Sequence, residues 1–369
     1  MIENILKLTV KYNSRIVGYL VLIDDNKIAF QYDDEWLKNG FSISPFSLPL
    51  TNKIFINNKT NFDGLYGVFV DSLPDGWGEL LIRRMLLKKG ISYDKLSPLQ
   101  KLALISKNGL GGLTYEPSFP YDNGLKSYEL DKLAIEIDKV LNGNNNEYEL
   151  DNVYAFGGSS GGARPKAHIV INNEEWIVKF PCLVDPLNIG TQEFMANEIA
   201  KKCDINVNEF YLFPSKRCQG YFGVKRFDRK ETKSIHMISL SSLLETSHKI
   251  PNLDYNLLFQ VIKNICHNQN DIYEAYKRMC FNVLFENRDD HGKNFSFLYD
   301  EELKSYKLSP AYDLTKTKDK IEHEMTINGN GRPTEKDLID MAIQLKLSLS
   351  KCQKIIQKTK NIIKKSNIN

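Results

Sequence analysis

The strongest signal in this chain is the run of residues 287–294, which read NRDDHGKN. Within it, Asp289 and Asn294 stand in the relation D-x-x-x-x-N. A carboxylate can orient and accept the proton of an attacking hydroxyl, and an amide oxygen is a hard ligand for Mg²⁺. Phosphoryl transfer needs both groups, because negative charge spreads over the oxygens of the transferred group. The alternative is a polar cluster that only builds turns and caps.

A second aspartate follows 19 residues after Asn294, within residues 310–314 (PAYDL). Residues 306–308 predict a short strand that leads into it. In protein kinases a second aspartate follows the catalytic loop after a short hairpin and chelates Mg²⁺. Asp313 fits this position, with Tyr-Asp-Leu in place of the usual DFG. Together the two elements indicate a kinase-type site far more strongly than either does alone.

Residues 157–166 (GGSSGGARPK) form a glycine-rich loop ahead of two predicted strands, 166–171 and 175–180. Small residues let backbone N–H groups approach phosphates closely. The loop matches neither the Rossmann nor the Walker pattern, and many glycine runs are merely flexible. The positive charges of Arg164 and Lys166 favour the phosphate-binding interpretation.

Three further features follow in the order that a kinase would show. Lys179 ends the second of these strands, at the position of the lysine that grips the nucleotide phosphates, although edge-strand lysines are common. A predicted helix over residues 191–202 carries Glu193 and Glu198, either of which could pair with Lys179. Residues 224–229 (VKRFDR) fall where a hinge between lobes would lie, and their backbone could bind adenine.

The rest of the chain gives weaker signals. Residues 5–32 predict β structure, and helices are predicted over residues 80–89 and 98–105. Residues 142–146 (NGNNN) are the best linker candidate, directly followed by the glycine loop. The C-terminal residues 351–369 carry six lysines and no acidic residue. A helix packed on its isoleucine face is favoured over a basic contact surface.

Composition excludes several classes of protein. Of the 369 residues, 42% are hydrophobic, and the length suggests two or three domains. The net charge of +3 is much lower than that of a protein whose whole surface binds nucleic acid. The six cysteines form no CxxC pair, which indicates reduced thiols in a cytosolic protein. A zinc site at His291 is rejected because no second histidine stands at motif spacing. Without a signal peptide or a long apolar run, we expect a soluble, cytoplasmic protein with no membrane partner.

The chain resembles the HipA family of toxin kinases. The resemblance lies in residues 159–166 (SSGGARPK), 226–229 (RFDR), 287–297 (NRDDHGKNFSF) and 310–314 (PAYDL). Residues 73–76 (LPDG) resemble the additional N-terminal domain of full-length members. The best-known members have Gln-Glu where this chain has Arg-Pro at the end of the glycine loop.

The resemblance implies roles for individual residues. Asp289 would be the catalytic base, Lys179 would contact the phosphates, and Glu193 would be the helix glutamate. Asn294 and Asp313 would hold Mg²⁺. The implied nucleotide-site residues are Gly161, Gly162, Ala163, Arg164, Pro165, Lys166, Lys179, Lys225, Arg226, Phe227, Asp228, His291, Gly292, Lys293, Asn294 and Asp313. Ser159 aligns with the serine that these kinases autophosphorylate, and Ser160 beside it is a second candidate.

The resemblance also implies a function. The chain would be a serine/threonine protein kinase toxin that transfers the γ-phosphate of ATP to a protein hydroxyl, typically of an aminoacyl-tRNA synthetase, and so arrests growth and promotes persistence. Its partner would be a small HipB-like antitoxin, through which DNA is mainly contacted. Two alternatives stay open: a small-molecule or lipid kinase, and a non-catalytic partner of a DNA-binding antitoxin.

The predicted fold class is α+β: a bilobal, protein-kinase-like fold with an additional N-terminal mixed α/β subdomain. Residues 1–145 would form the N-terminal subdomain. Residues 146–230 would form the kinase N-lobe, with the glycine loop and hinge. Residues 231–369 would form a mostly helical C-lobe with the catalytic and metal-binding loops, and ATP would lie in the cleft between the lobes.

Overall fold

The computed structural model describes most of the chain as two compact units. Residues 4–23, 27–57, 62–105, 109–119, 129–158, 160–247, 249–317 and 319–366 are described. The first unit comprises Met1–Gly190, Tyr211–Ile238 and Ser242–Ser247, and the second comprises Thr191–Phe210, Ser239–Ser241 and His248–Asn369. Among the described residues, no helix is both long enough and apolar enough to cross a bilayer.

The first unit begins with an antiparallel five-stranded sheet. Its strands are β1 (Lys7–Tyr12), β2 (Arg15–Leu22), β3 (Ile28–Tyr32), β4 (Phe55–Ile56) and β5 (Leu113–Glu116), in the order β4-β3-β2-β1-β5. Leu8, Val10 and Tyr12 alternate along β1 with more exposed neighbours, so one face of the strand is buried. The predicted β structure of residues 5–32 is confirmed for the described part of this range, and residues 24–26 lie outside the described residues.

Four helices accompany this sheet. They are α1 (Asp34–Asn39), α2 (Gly67–Val70), α3 (Gly76–Lys88) and α4 (Pro98–Ala103). The helix predicted over residues 80–89 begins a turn earlier than expected, because its first turn is buried through Trp77 and Gly78. It ends just before Gly90, whose φ of +70° suits glycine and stops the helix. A capping box of Ser97 and Gln100 starts α4.

Two helices that the sequence analysis did not predict, α5 (Leu130–Asn142) and α6 (Glu147–Gly157), flank the linker candidate. Gly143 ends α5 in a left-handed conformation, and Asn146 begins α6 in a capping box with Glu149. Residues 142–146 are therefore a tight turn between helices inside the first unit. A helix, and not the glycine loop, follows this turn. The domain boundary predicted at residue 145 stays a prediction.

A four-stranded sheet follows α6. Its strands are β6 (Lys166–Ile171), β7 (Glu174–Lys179), β8 (Phe210–Phe213) and β9 (Tyr221–Lys225), in the order β6-β7-β9-β8. Asn172 and Asn173 both have positive φ and form the two-residue hairpin turn between β6 and β7. Ala167, Ile169 and Val178 pack into one hydrophobic cluster with residues of α3, α5 and α6. Two short strands, β10 (Arg229–Lys230) and β11 (Lys233–Ser234), pair beyond this sheet.

The second unit is mostly helical, as predicted. Its helices are α7 (Ile189–Lys202), α8 (Leu240–Leu243), α9 (Tyr255–Ile265), α10 (Gln269–Phe285), α11 (Glu335–Gln344) and α12 (Leu349–Lys365). Its strands are β12 (Met237–Ser239), β13 (Leu253–Asp254), β14 (Ser296–Asp300), β15 (Ser305–Leu308) and β16 (Met325–Thr326). The chain crosses between the units within α7, β8, β12 and α8. Strands β14 and β15 form an antiparallel hairpin, which confirms the strand predicted at residues 306–308.

The core of the second unit includes the C-terminal helix. Ile199, Phe281 and Leu314 belong to one buried cluster, against which Ile362 and Ile363 of α12 pack. Ile356 is also buried, while the lysines of α12 are exposed. The packed isoleucine face that the sequence favoured is thus confirmed.

Candidate active site

The two polar residues of the D-x-x-x-x-N pattern lie on one short loop that follows α10. Glu286, in a left-handed conformation, ends α10 and turns the chain into this loop. The Asn294 side-chain amide donates to the Asp289 carbonyl at 2.8 Å, and the Asn294 N–H donates to the His291 carbonyl at 2.9 Å. The Asp289 side chain is 43% exposed. The loop therefore fixes Asn294 and presents a carboxylate that a substrate can reach.

The β14–β15 hairpin returns the chain to this loop at Asp313. The Tyr312 hydroxyl donates to the Lys293 carbonyl and lies 2.6 Å from the Ser296 hydroxyl. The residue before Asp313 is thus hydrogen-bonded to the residue before Asn294. Asp313 has a φ of +53°, a left-handed conformation that non-glycine residues rarely adopt and that is frequent at functional sites.

The donor set at this point fits Mg²⁺. Asn294 and Asp313 offer a neutral and a charged oxygen, the hard donors that Mg²⁺ prefers. Among the described residues, no group of three or more His, Cys, Asp or Glu side chains is gathered for a metal. Mg²⁺ is commonly held by one or two carboxylates together with substrate phosphates, so a small donor set of this kind suffices.

Asp290, beside the exposed Asp289, has a structural role that the sequence did not reveal. Its buried carboxylate accepts from the Tyr255 hydroxyl at 2.7 Å and from the Glu324 N–H at 3.0 Å, and it lies 3.0 Å from Nδ1 of His323. Asp290 therefore anchors a distant segment to the loop of residues 287–294. The His323-Glu324 pair, which lacks the spacing of a zinc motif, is part of this anchor.

The glycine loop lies against the N-terminus of α3. The Asp75 carboxylate accepts a hydrogen bond from the Gly162 N–H, and the Trp77 N–H donates to the Gly162 carbonyl at 2.9 Å. Gly76 has a φ of +47°, and a Cβ there would lie 2.5 Å from the Gly162 oxygen. The LPDG segment thus determines where the backbone of the glycine loop lies, a role that the sequence analysis did not assign to Asp75.

Two lysines of the predicted nucleotide site meet on the four-stranded sheet. Lys166 on β6 and Lys179 on β7 are direct cross-strand partners, and the Phe180 N–H donates to the Pro165 carbonyl at 2.8 Å. Cross-strand partners project from the same face of a sheet. The sheet therefore brings together the two charges that the sequence placed 13 residues apart.

Other residues of the glycine loop are already engaged. Arg164 forms an ion pair with Asp185 at 3.1 Å. Burial disfavours the charged form of Asp185, but hydrogen bonds from Cys182 and Arg164 outweigh it and keep its pKa below the usual value. Ser160 is buried, and its hydroxyl donates to the Gly157 carbonyl at 2.6 Å. Ser159 lies outside the described residues.

The predicted hinge contains a buried ion-pair network. Arg226 is paired with Asp228 at 2.7 Å, and its guanidinium also donates to the Gly109 carbonyl at 2.7 Å. The Asp228 carboxylate accepts from the Gly111 N–H at 2.7 Å. The Arg226 N–H donates to the Glu175 carbonyl within the sheet. The side chains of the RFDR motif thus clamp the bend at residues 109–112, and an adenine contact of the hinge stays a prediction.

Glu193 and Lys179 belong to different units. Glu193 lies in α7 and is 3% exposed, whereas Glu198 of the same helix is partly exposed. A buried carboxylate requires a cation or hydrogen-bond donors, so burial favours Glu193 over Glu198 as the functional glutamate. The pairing of Glu193 with Lys179 stays a prediction.

Comparison with known proteins identifies the family. Residues 158–366 match the family described as HipA-like C-terminal domain, and residues 8–116 match the HipA N-terminal domain. The chain belongs to the HipA family. The resemblance seen in the sequence is thus confirmed, and the HipA match extends over both the catalytic loops and the LPDG segment.

Two relatives illustrate the likeness. The HipA of Shewanella oneidensis MR-1, solved with HipB and operator DNA, superposes with a TM-score of 0.74 at 19% identity, over 97% of this chain and 89% of that chain. This confirms the predicted α+β fold class. A Sinorhizobium fredii (strain NBRC 101917 / NGR234) protein named "Putative kinase Y4dM" is 29% identical over 174 residues, 44% of this chain. The aligned part spans 42% of that relative.

Proposed function

We propose that this HipA-family chain is a serine/threonine protein kinase toxin that uses ATP and Mg²⁺. The observation that carries the proposal is the arrangement of Asp289, Asn294 and Asp313 in the second unit. The Asn294 side chain donates to the Asp289 carbonyl, and the hydrogen bond from Tyr312 to Lys293 joins the segment that carries Asp313 to the segment that carries Asn294. The kinase name of the Sinorhizobium relative supports the same reaction.

Each part of the site has a task in this proposal. Asp289 orients the hydroxyl of the substrate and accepts its proton. Lys166, Lys179 and the N–H groups of the glycine loop bind the phosphates of ATP. Asn294 and Asp313 would hold Mg²⁺, which supplies positive charge to the phosphate oxygens when it is bound.

The acceptor that we propose is a serine or threonine of an aminoacyl-tRNA synthetase, whose modification would stop translation and growth. We also propose a HipB-like antitoxin as the partner that carries most of the DNA contact, in line with the HipA–HipB–operator assembly of the Shewanella relative. Autophosphorylation is proposed at Ser159. The alternative residue, Ser160, is buried and hydrogen-bonded, which supports this choice.

Intact-mass spectrometry after incubation with Mg-ATP tests the proposal, with Asp289→Asn as the control. We expect one added phosphate on the wild type only, located at Ser159, and phosphate transfer to purified glutamyl-tRNA synthetase. Transfer to metabolites or lipids but to no protein would identify a small-molecule or lipid kinase. Growth arrest that Asp289→Asn retains, together with no transfer by either protein, would identify a non-catalytic partner of the antitoxin.

A further inference from the structure

The segment of residues 319–325 is attached to both neighbours of Asp289. The Arg288 guanidinium donates to the Lys320 carbonyl at 2.9 Å, and the Glu324 N–H donates both to the Arg288 carbonyl at 3.2 Å and to the Asp290 carboxylate at 3.0 Å. Asp290 is buried, so this attachment is part of the core. The chain therefore holds this segment in a defined position beside the catalytic loop.

The attachment places one ammonium group between two carboxylates. Nζ of Lys320 forms ion pairs with Asp289 and, at 2.6 Å, with Glu324. Partial burial opposes the charged form, but the hydrogen bonds to Asp289 and Glu324 outweigh it and raise the pKa of Lys320. Lys320 therefore stays protonated at neutral pH. Its side chain is 35% exposed, so a substrate can reach it.

We propose that Lys320 is a further catalytic residue, which contacts the phosphoryl group during transfer. The inference rests on the proposed kinase function. The phosphoryl group moves from ATP to a hydroxyl that Asp289 holds. It therefore passes next to Lys320, which is paired with the Asp289 carboxylate. A positive charge placed in advance beside the transferred oxygens stabilises the transition state.

The step balances without a change in the charge of Lys320. The bond from the hydroxyl oxygen to the γ-phosphorus forms, and the bond from that phosphorus to the bridging oxygen breaks. ADP leaves with the electron pair, and the hydroxyl proton moves to Asp289. Lys320 exchanges its hydrogen bond with Asp289 for one with a phosphoryl oxygen. The ion pair with Glu324 keeps the Lys320 ammonium group in place.

The test compares Lys320→Ala and Lys320→Arg with the wild type. Lys307→Ala is the matched control, because Lys307 also forms an ion pair in the second unit, with Asp300 at 2.8 Å on the β14–β15 hairpin. Two quantities are measured: the rate of ³³P incorporation from Mg-ATP into the protein and into dephosphorylated casein, and the Kd of a non-hydrolysable ATP analogue with Mg²⁺. Thermal melting verifies that each variant is folded.

For Lys320→Ala we expect a rate lower by about 10²- to 10³-fold, the usual effect of removing one preorganised donor. Its Kd for the analogue should stay within a factor of about three, because the contact forms in the transition state. Lys320→Arg should restore part of the rate, and Lys307→Ala should match the wild type.

Two results would overturn the inference. A folded Lys320→Ala variant with the wild-type rate would show that Lys320 only forms structural ion pairs. The kinase proposal would still stand. A wild type that transfers phosphate no faster than Asp289→Asn would remove the kinase proposal, and the inference with it.

Discussion

Lys166 and Lys179 face each other directly on neighbouring antiparallel strands of the first unit. Like charges at such positions destabilise a sheet by roughly 0.2–1 kcal/mol. Both ammonium groups could donate to one bound anion. The pair is therefore better suited to holding phosphates than to stabilising the fold.

Replacing either lysine should weaken Mg-ATP binding much more than it lowers the stability of the fold. We expect Lys179→Met and Lys166→Met to weaken Mg-ATP binding by about 10- to 100-fold, through loss of a hydrogen bond to a charged group. The melting temperature of the nucleotide-free protein should fall by only a few degrees, because methionine keeps most of the apolar length of the lysine side chain. Calorimetric titration and thermal melting measure the two effects. Lys11→Met is the control, since Lys11 of β1 is paired with Glu116 and has no proposed role in ATP binding.

Gly76 and Gly90 both have positive φ, but only Gly76 contacts the glycine loop. Replacing each by alanine therefore distinguishes the cost of backbone strain from the cost of losing this contact. Gly90→Ala should cost about 1–2 kcal/mol, since no atom lies within 4 Å of the added Cβ and only the left-handed conformation is penalised. Gly76→Ala should cost a further 1–3 kcal/mol or so, because its Cβ would meet the backbone of Gly162 and Ala163. Urea unfolding gives both values. Gly76→Ala should also weaken ATP binding, and equal effects of the two variants would contradict this contact.

The same substitution at the adjacent aspartates Asp289 and Asp290 should affect different properties of the protein. Asp290→Asn should lower stability by about 1–3 kcal/mol or more, because a buried carboxylate with several donors loses acceptor capacity. Asp289→Asn should change stability by less than about 1 kcal/mol, since its ion pair with Lys320 is partly exposed. Its phosphate transfer should nevertheless fall by at least about 10². Denaturant unfolding and ³³P transfer on both variants decide this, and a stable Asp290→Asn would contradict the anchoring role.

Stability should decrease as pH falls from 6.5 to 4, in part because of His236. Burial lowers the pKa of His236 to about 4, and Nε2 lies 2.9 Å from the Ile43 carbonyl. Above pH 6.5 the histidine is neutral in both the folded and unfolded states. Below 6.5 the unfolded state gains a proton that the folded state resists, at about 1.36 kcal/mol per pKa unit.

The loss due to His236 should reach about 3 kcal/mol near pH 4. His236→Gln should therefore flatten the decline in melting temperature between pH 6.5 and 4. His267→Gln is the control, because His267 is exposed. An unchanged pH profile in His236→Gln would show that other groups cause the decline.

The parts that could be predicted from the sequence are those encoded by local spacing. Residues 5–32 predicted β structure, and residues 166–171 and 175–180 predicted the two neighbouring strands β6 and β7. The five-residue spacing from Asp289 to Asn294, followed by PAYDL, indicated the catalytic loops and the family. These patterns are readable because neighbouring residues fix the local backbone geometry.

Contacts between residues far apart in the sequence could be found only in the tertiary structure. The bond of Asp75 to Gly162 links residues 87 apart, and the ion pair of Lys320 with Asp289 links residues 31 apart. No periodicity encodes either contact, because each arises only after separate elements have packed. Residues 142–146 show the same limit of local patterns, because a run of Asn and Gly has the same local chemistry in a domain boundary and in a turn between helices. The packing of the flanking helices into one cluster is seen only in the tertiary structure.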